Sequence, residues 1–195
     1  MMPGKNRLSS TLKWISLFFW MILCGLRLLD TWQNARVIPF LLAVQSGSVA
    51  WLLITRNGQL EEVHWSRKTI SWISALLPLA MRLEIETPLG QAITILGLIL
   101  VFWSMISLGC SFGIAPADRG LVKDGPYRYI RHPMYLGELV SLAGAMIYNL
   151  STWNVILIAV LLLSLLFRMH WEELAIHSYM SYADRVRWRL IPRVW

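Results

Sequence analysis

Residues 124–144 read DGPYRYIRHPMYLGELVSLAG, and within eleven positions they gather Arg128, Arg131, His132, Tyr135 and Glu138. Gly125-Pro126 favours a turn. His132 precedes Pro133, which pushes it out of the helical region, and Pro133 suits the first position of a helix. An apolar helix is therefore expected to begin at Pro133, with His132 as its cap. The first N–H groups of such a helix lack internal partners and offer a positive end to a carboxylate or phosphate. Tyr135 and Glu138, three residues apart, share a face. A carboxylate inside a membrane helix is rare, costly and usually functional; the plainer alternative is an ion pair with Arg131. Arg128 alone reads as a loop cation reaching for the interface.

A second cluster closes the chain, HWEELAIHSYMSYADRVRWRLIPRVW. Glu172 and Glu173 are expected about one turn beyond the last apolar segment, followed by Tyr179, Tyr182, Arg185, Arg187 and Arg189. The simpler reading is a basic amphipathic anchor lying on lipid, which is compatible with a site. His170 and His177 lack a third ligand, and Cys24 and Cys110 stand alone, so no metal centre is expected. Nothing resembles a Gly-rich nucleotide loop or a nucleophile elbow, and the absence of alternating strand patterns excludes a soluble dinucleotide-binding fold.

The elements that must position these clusters are membrane helices. Hydrophobic residues make up 56% of the 195 residues and charged residues 15%, with mean hydropathy +0.53; an ordinary soluble domain carries about 25% charge. Apolar segments cover 12–29, 37–55, 69–81, 91–108, 134–148 and 153–167. The reading is an all-α polytopic membrane protein of about six spans, five if 69–81 fails to cross. That segment is short of the roughly 20 residues a span needs and contains Pro78. The last two segments, about 15 residues each, are expected to form a tight hairpin. It would carry the C-terminal cluster back to the side where the RHP loop begins.

The net charge of +7 sits in loops. Lys5, Arg7 and Lys13, then Arg56, Arg67 and Lys68, then Arg119, Lys123, Arg128 and Arg131, then Arg168, Arg185, Arg187, Arg189 and Arg193 fall on one side. Only Arg27, Arg36 and Arg82 fall on the other. The positive-inside rule puts both termini and the RHP loop in the cytoplasm, with the chain in a cell or inner membrane. No basic run is long enough for a nucleic-acid patch. The basic N-terminus precedes no small-residue cleavage site, so a retained first span is expected. Tryptophans near segment ends read as an interfacial belt.

LVKDGPYRYIRHPMYLGE, a helical hairpin and EEL with following tyrosines, arginine and proline resemble the isoprenylcysteine carboxyl methyltransferase family of integral membrane methyltransferases, over residues 121–192. The resemblance implies S-adenosylmethionine held between the RHP loop and the tail. Its matching cofactor positions are Leu121, Val122, Gly125, Tyr127, His132, Pro133, Tyr135, Glu172, Glu173 and Tyr182, with Arg131 and Arg185 the matching arginines. Together with Glu138, singled out by its place in the helix, these arginines are the candidate catalytic residues. The Phe-Gly usual before the tail tyrosines is absent, and the stretch from Glu173 to Tyr182 is a few residues shorter.

Residues 1–195 are thus expected to form one membrane domain. Within it, 1–110 supplies N-terminal helices and 111–195 the cofactor loop, hairpin and tail. The expected activity is methyl transfer from S-adenosylmethionine to a lipophilic or prenylated acceptor. Because the sterol-reductase-like proteins carry a similar RHP run, an NADPH-dependent membrane reductase is an alternative; a non-catalytic membrane scaffold is another.

Overall fold

The computed structural model describes residues 5–56, 64–81, 87–147, 150–177 and 179–195, with side chains from Lys13 onward. Among them every regular element is helical. Four helices are long and apolar enough to cross a membrane: Lys13–Asn34, Val37–Thr55, Pro88–Ser111 and Thr152–Ala175. The chain is an all-α polytopic membrane protein. It divides into two compact units, residues 1–56 and 57–195.

The first unit is a hairpin of α1 (Lys5–Asn34) and α2 (Val37–Thr55). Ala35, at φ 50°, turns the chain, and its N–H closes the last turn of α1 on Thr31 O at 2.8 Å. Arg27, counted above as a loop cation, lies inside α1. Its Nη1 donates to Leu42 O at 2.8 Å and to Ser46 Oγ at 2.5 Å on α2. A buried charge needs such partners.

The second unit begins with α3 (Trp65–Leu76), ended by a 3-10 turn at Leu77–Ala80 that contains Pro78. At about 1.5 Å per residue, α3 reaches only about 18 Å, too short to span alone. Its amphipathicity is inverted: Ser71 and Ser74 are fully buried while Trp65 and Ile73 face outward. That is the pattern of a helix whose outer face meets lipid rather than water.

α4 (Pro88–Leu108) and α5 (Pro133–Met146) pack backbone to backbone. The seam is Gly90, Thr94 and Gly97 against Gly137, Ser141 and Gly144; Thr94 Oγ1 donates to Ser141 O at 3.2 Å. A Cβ at Gly97 would run into Ser141 N. Small residues at such spacing let membrane helices approach closely enough for dispersion to hold them. α6 (Thr152–Ala175) buries Asn154, Leu157, Leu161, Leu165, Arg168 and Met169 along one stripe and turns Ile156, Val160, Leu163 and Phe167 outward. Ser151 caps it by accepting from Asn154 N–H at 3.3 Å.

The apolar core joins Leu142 and Met146 of α5 to Leu157, Leu161, Leu165 and Met169 of α6, with Tyr135, Met81 and Leu190. The expected pair of 15-residue helices is corrected. α5 has 14 residues and α6 has 24, about 36 Å, because the helix continues through RMHWEELA. Glu172 and Glu173 therefore lie in its last turn rather than beyond it. Arg168 belongs to the buried stripe and not to a tail. A short α7 (Tyr179–Ala183) follows.

Candidate functional site

The loop that enters α5 and the tail that leaves α6 are stitched together. Arg131 N–H donates to Trp188 O at 2.8 Å and His132 N–H to Arg189 O at 2.9 Å. The Arg131 guanidinium adds Nε to Val186 O at 2.7 Å and Nη2 to Ala183 O at 3.1 Å. Tyr182 Oη donates to Tyr127 O at 2.7 Å. The tail ends by folding on itself, with Trp195 O accepting from the N–H groups of Arg189, Leu190 and Ile191. The two clusters noted in the sequence thus meet through backbone as well as side chains.

Adjacent carboxylates divide the work. Glu173 is saturated: Arg189 Nε reaches its Oε1 at 3.0 Å and Nη2 its Oε2 at 2.8 Å. Arg131 Nη1, His132 Nε2 and Tyr179 Oη also approach Oε1, at 3.5, 3.3 and 3.4 Å. Glu172 accepts a short hydrogen bond from Tyr135 Oη and has His132 Nδ1 at 3.7 Å. The hydrogen bonds from Arg189 to Glu173 raise the arginine's already high pKa. Burial pushes the Tyr182 hydroxyl up to about 12, and burial together with the Glu173 charge raises Tyr179. Both phenols are hydrogen-bond donors at neutral pH, not bases.

Between loop and tail opens a cleft. Of the residues singled out in the sequence, Leu121, Val122, Tyr127, Arg131, His132, Tyr135, Glu172 and Tyr182 line it. The remaining five stand off its wall. Gly125, at φ 59°, turns the chain against Trp103 and Ser107. Pro133 starts α5, as its place after His132 suggested. Glu173 holds the tail. Arg185 is exposed and donates to Ser181 O at 3.2 Å within its own segment. Glu138 faces Arg168 electrostatically rather than the cleft. His132 does not cap α5 with its side chain; its ring stacks on Tyr135 at 5.6 Å instead.

Sequence reasoning missed Arg168, 4% exposed and in the cleft wall. Its Nη1 donates to Ser74 Oγ at 3.2 Å and its Nη2 to Ile114 O at 3.1 Å, and its guanidinium stacks 4.9 Å from the Tyr135 ring centre. Its Nε has no hydrogen-bond partner among the described residues. The four-residue spacing from Arg168 to Glu172, which puts both on one helix face, was the available signal. Tyr179, also in the wall, was visible only as a ring near the tail.

A model of the phospholipid methyltransferase family matches residues 85–184, just over half of the chain and the stretch from α4 through α7. No curated protein and no solved structure matches the chain. The matched stretch holds the loop, the hairpin and the carboxylate pair that form the cleft. On that match the chain belongs to the phospholipid methyltransferase family, the integral membrane methyltransferases that include the isoprenylcysteine carboxyl methyltransferases.

Proposed function

We propose that this membrane methyltransferase uses S-adenosylmethionine and methylates a lipid-borne carboxylate of the isoprenylcysteine type. The observation that carries the cofactor assignment is the division between Glu173, spent on Arg189, and Glu172, which presents a carboxylate to the cleft. The cofactor's methionine part carries an ammonium and a carboxylate, and its adenine is flat. Glu172 fits the ammonium, the start of α5 near His132 fits the carboxylate, and Tyr127 or Tyr135 fits the ring. Leu121 and Val122 supply apolar wall. When bound, S-adenosylmethionine would supply an electrophilic methyl on a sulfonium for the acceptor oxygen, with a neutral thioether as its leaving group.

The chain's own residues orient and exclude water. An ionised carboxylate needs no base, so alignment in a dry site supplies much of the rate. Arg131 positions the tail over the loop. Arg168, a cation of the cleft wall with Nε to spare, is assigned the acceptor's oxyanion, and Glu138 behind it balances its charge. The acceptor reaches the cleft from the bilayer along the apolar outer faces of the helices.

The basic residues of the loop and tail favour a cytoplasmic face for this end of the 57–195 unit. Membership of a methyltransferase family leaves the reductase alternative without support. The deciding experiment incubates purified protein with methyl-labelled S-adenosylmethionine and host membranes. A labelled, lipid-extractable product that releases methanol in base is expected; a base-stable labelled amine would overturn the carboxylate reading.

A further inference from the structure

Asp118 lies in the loop between α4 and α5 and is only 5% exposed. Its Oδ1 accepts from Gly120 N–H at 3.0 Å. Its Oδ2 accepts from His177 N–H at 2.9 Å and faces His177 Nδ1 at 3.0 Å. His177 lies two residues beyond the end of α6, fifty-nine residues later in the chain, and its ring is exposed. Burial pushes the Asp118 carboxyl up, but the two backbone N–H groups and the His177 ring outweigh this and hold it below the usual carboxylate range.

The neighbours of this contact line the cleft. On the loop side they are Ala117, Arg119, Gly120 and Leu121; on the tail side they are Ile176 and Tyr179. Asp118 itself does not. We propose that Asp118 is a positioning residue: it clasps the loop to the chain leaving α6 and so sets the spacing of the two cleft walls that grip the cofactor. A buried carboxylate with three donors is an all-or-none fastening, because each donor removed leaves desolvated charge uncompensated. A covalent link would hold the walls permanently. A hydrogen-bonded clasp lets them part to admit and release a ligand as large as a nucleoside sulfonium. Tyr182 to Tyr127 joins the tail to the loop nearer α5, and Arg168 Nη2 to Ile114 O joins the loop to the body of α6; Asp118 ties residues 117–120 to the chain just beyond α6.

This inference rests on the cleft being the cofactor site, so its test reads clasp and cofactor separately. Hydrogen exchange of full-length protein in detergent, without cofactor, reads the clasp: Asp118→Ala and Asp118→Asn should both speed exchange across 112–122 and leave the α4–α5 seam unchanged. Calorimetric titration with S-adenosylmethionine and S-adenosylhomocysteine reads the grip. Both variants should lose affinity by about tenfold to a hundredfold, the range for hydrogen bonds to a charged group. His177→Ala keeps the backbone N–H and should lose less. In turnover the loss should appear in KM for the cofactor far more than in kcat. Unchanged exchange in both Asp118 variants overturns the clasp whether or not the wild type binds cofactor. Faster exchange with unchanged affinity overturns its role in binding. If wild-type protein binds neither compound, the reading of the cleft fails, while the exchange result still decides whether the clasp exists. Should Asp118→Ala not fold, Asp118→Asn and His177→Ala carry both measurements.

Discussion

Glu172 and Glu173 are consecutive, yet Glu173 is gripped through both oxygens by Arg189 while Glu172 is turned to the cleft and to Tyr135 Oη. In the last turn of a helix, neighbouring side chains point about 100° apart, so one can pin the tail while the other meets a ligand.

The two carboxylates should therefore fail differently. Glu172→Gln is expected to weaken S-adenosylmethionine binding by tenfold or more, about 1.4 kcal/mol, with little change in thermal stability. Glu173→Gln removes the charge that Arg189 and Arg131 share and should cost roughly 2 kcal/mol of stability, discounted for the partial exposure of Arg189. Calorimetry and thermal unfolding on the same detergent preparations separate them; equal effects on both readouts would contradict the division.

The Tyr182 hydroxyl, raised to about 12 against about 10 for a free phenol, links tail docking to alkaline pH. Its folded pKa lies above its unfolded one, so its contribution is complete below about pH 10 and is lost as pH rises through about 12. Phenolate absorbance of the wild type should thus show a late-titrating tyrosine that Tyr182→Phe lacks, and the variant should be less stable at pH 7 by about 1 kcal/mol from the lost bond to Tyr127 O.

The seam of α4 and α5 has no room for a side chain. Gly97→Leu should prevent the helices from meeting and cost more than the ~1–3 kcal/mol of ordinary overpacking, because the obstruction is backbone. Gly25, where an added Cβ would meet no other part of the described chain within 4 Å, is the control: Gly25→Ala should express and unfold like the wild type. Thermal unfolding in detergent compares them, and a well-folded Gly97→Leu would show that the seam is looser than drawn.

Hydropathy made the helices legible because lipid enforces one rule, that apolar segments satisfy their own backbone. The 37–55 segment coincides with α2, and each of the six segments overlaps a helix, although α3 ends at Leu76, within 69–81. Ends were harder. RMHWEELA is polar by composition but helical, because Arg168 and Glu172 face inward to partners rather than outward to lipid. A cut placed after Phe167, at the apparent end of the apolar run, would remove two turns of α6 along with the tail. The meeting of loop and tail was legible from the hairpin, but the backbone pairing of Arg131 with Trp188 was not, since carbonyl partners leave no mark on side-chain identity. Asp118 escaped notice for the same reason, since two of its contacts are with backbone N–H groups, and His177 was weighed only as a metal ligand.

Glu138 bears on which acceptor the enzyme uses. It sits on α5 but outside the cleft wall, and its electrostatic partner is Arg168. A carboxylate acceptor is already ionised near neutrality and needs no base. An amine acceptor must first lose a proton, and a carboxylate in reach of it could take that proton. If Glu138 only balances Arg168, Glu138→Gln should keep the rate within about tenfold, a barrier change of roughly 1.4 kcal/mol. The wild-type rate should then stay nearly flat from about pH 6.5 to 8.5, well above the carboxylate acceptor's own pKa of about 4. Arg168→Met should be the more damaging change, raising KM for the acceptor while leaving S-adenosylhomocysteine affinity near wild type. The opposite pattern would make Glu138 the base and the acceptor an amine: a hundredfold loss in Glu138→Gln together with a wild-type rate that climbs through a titration in that window.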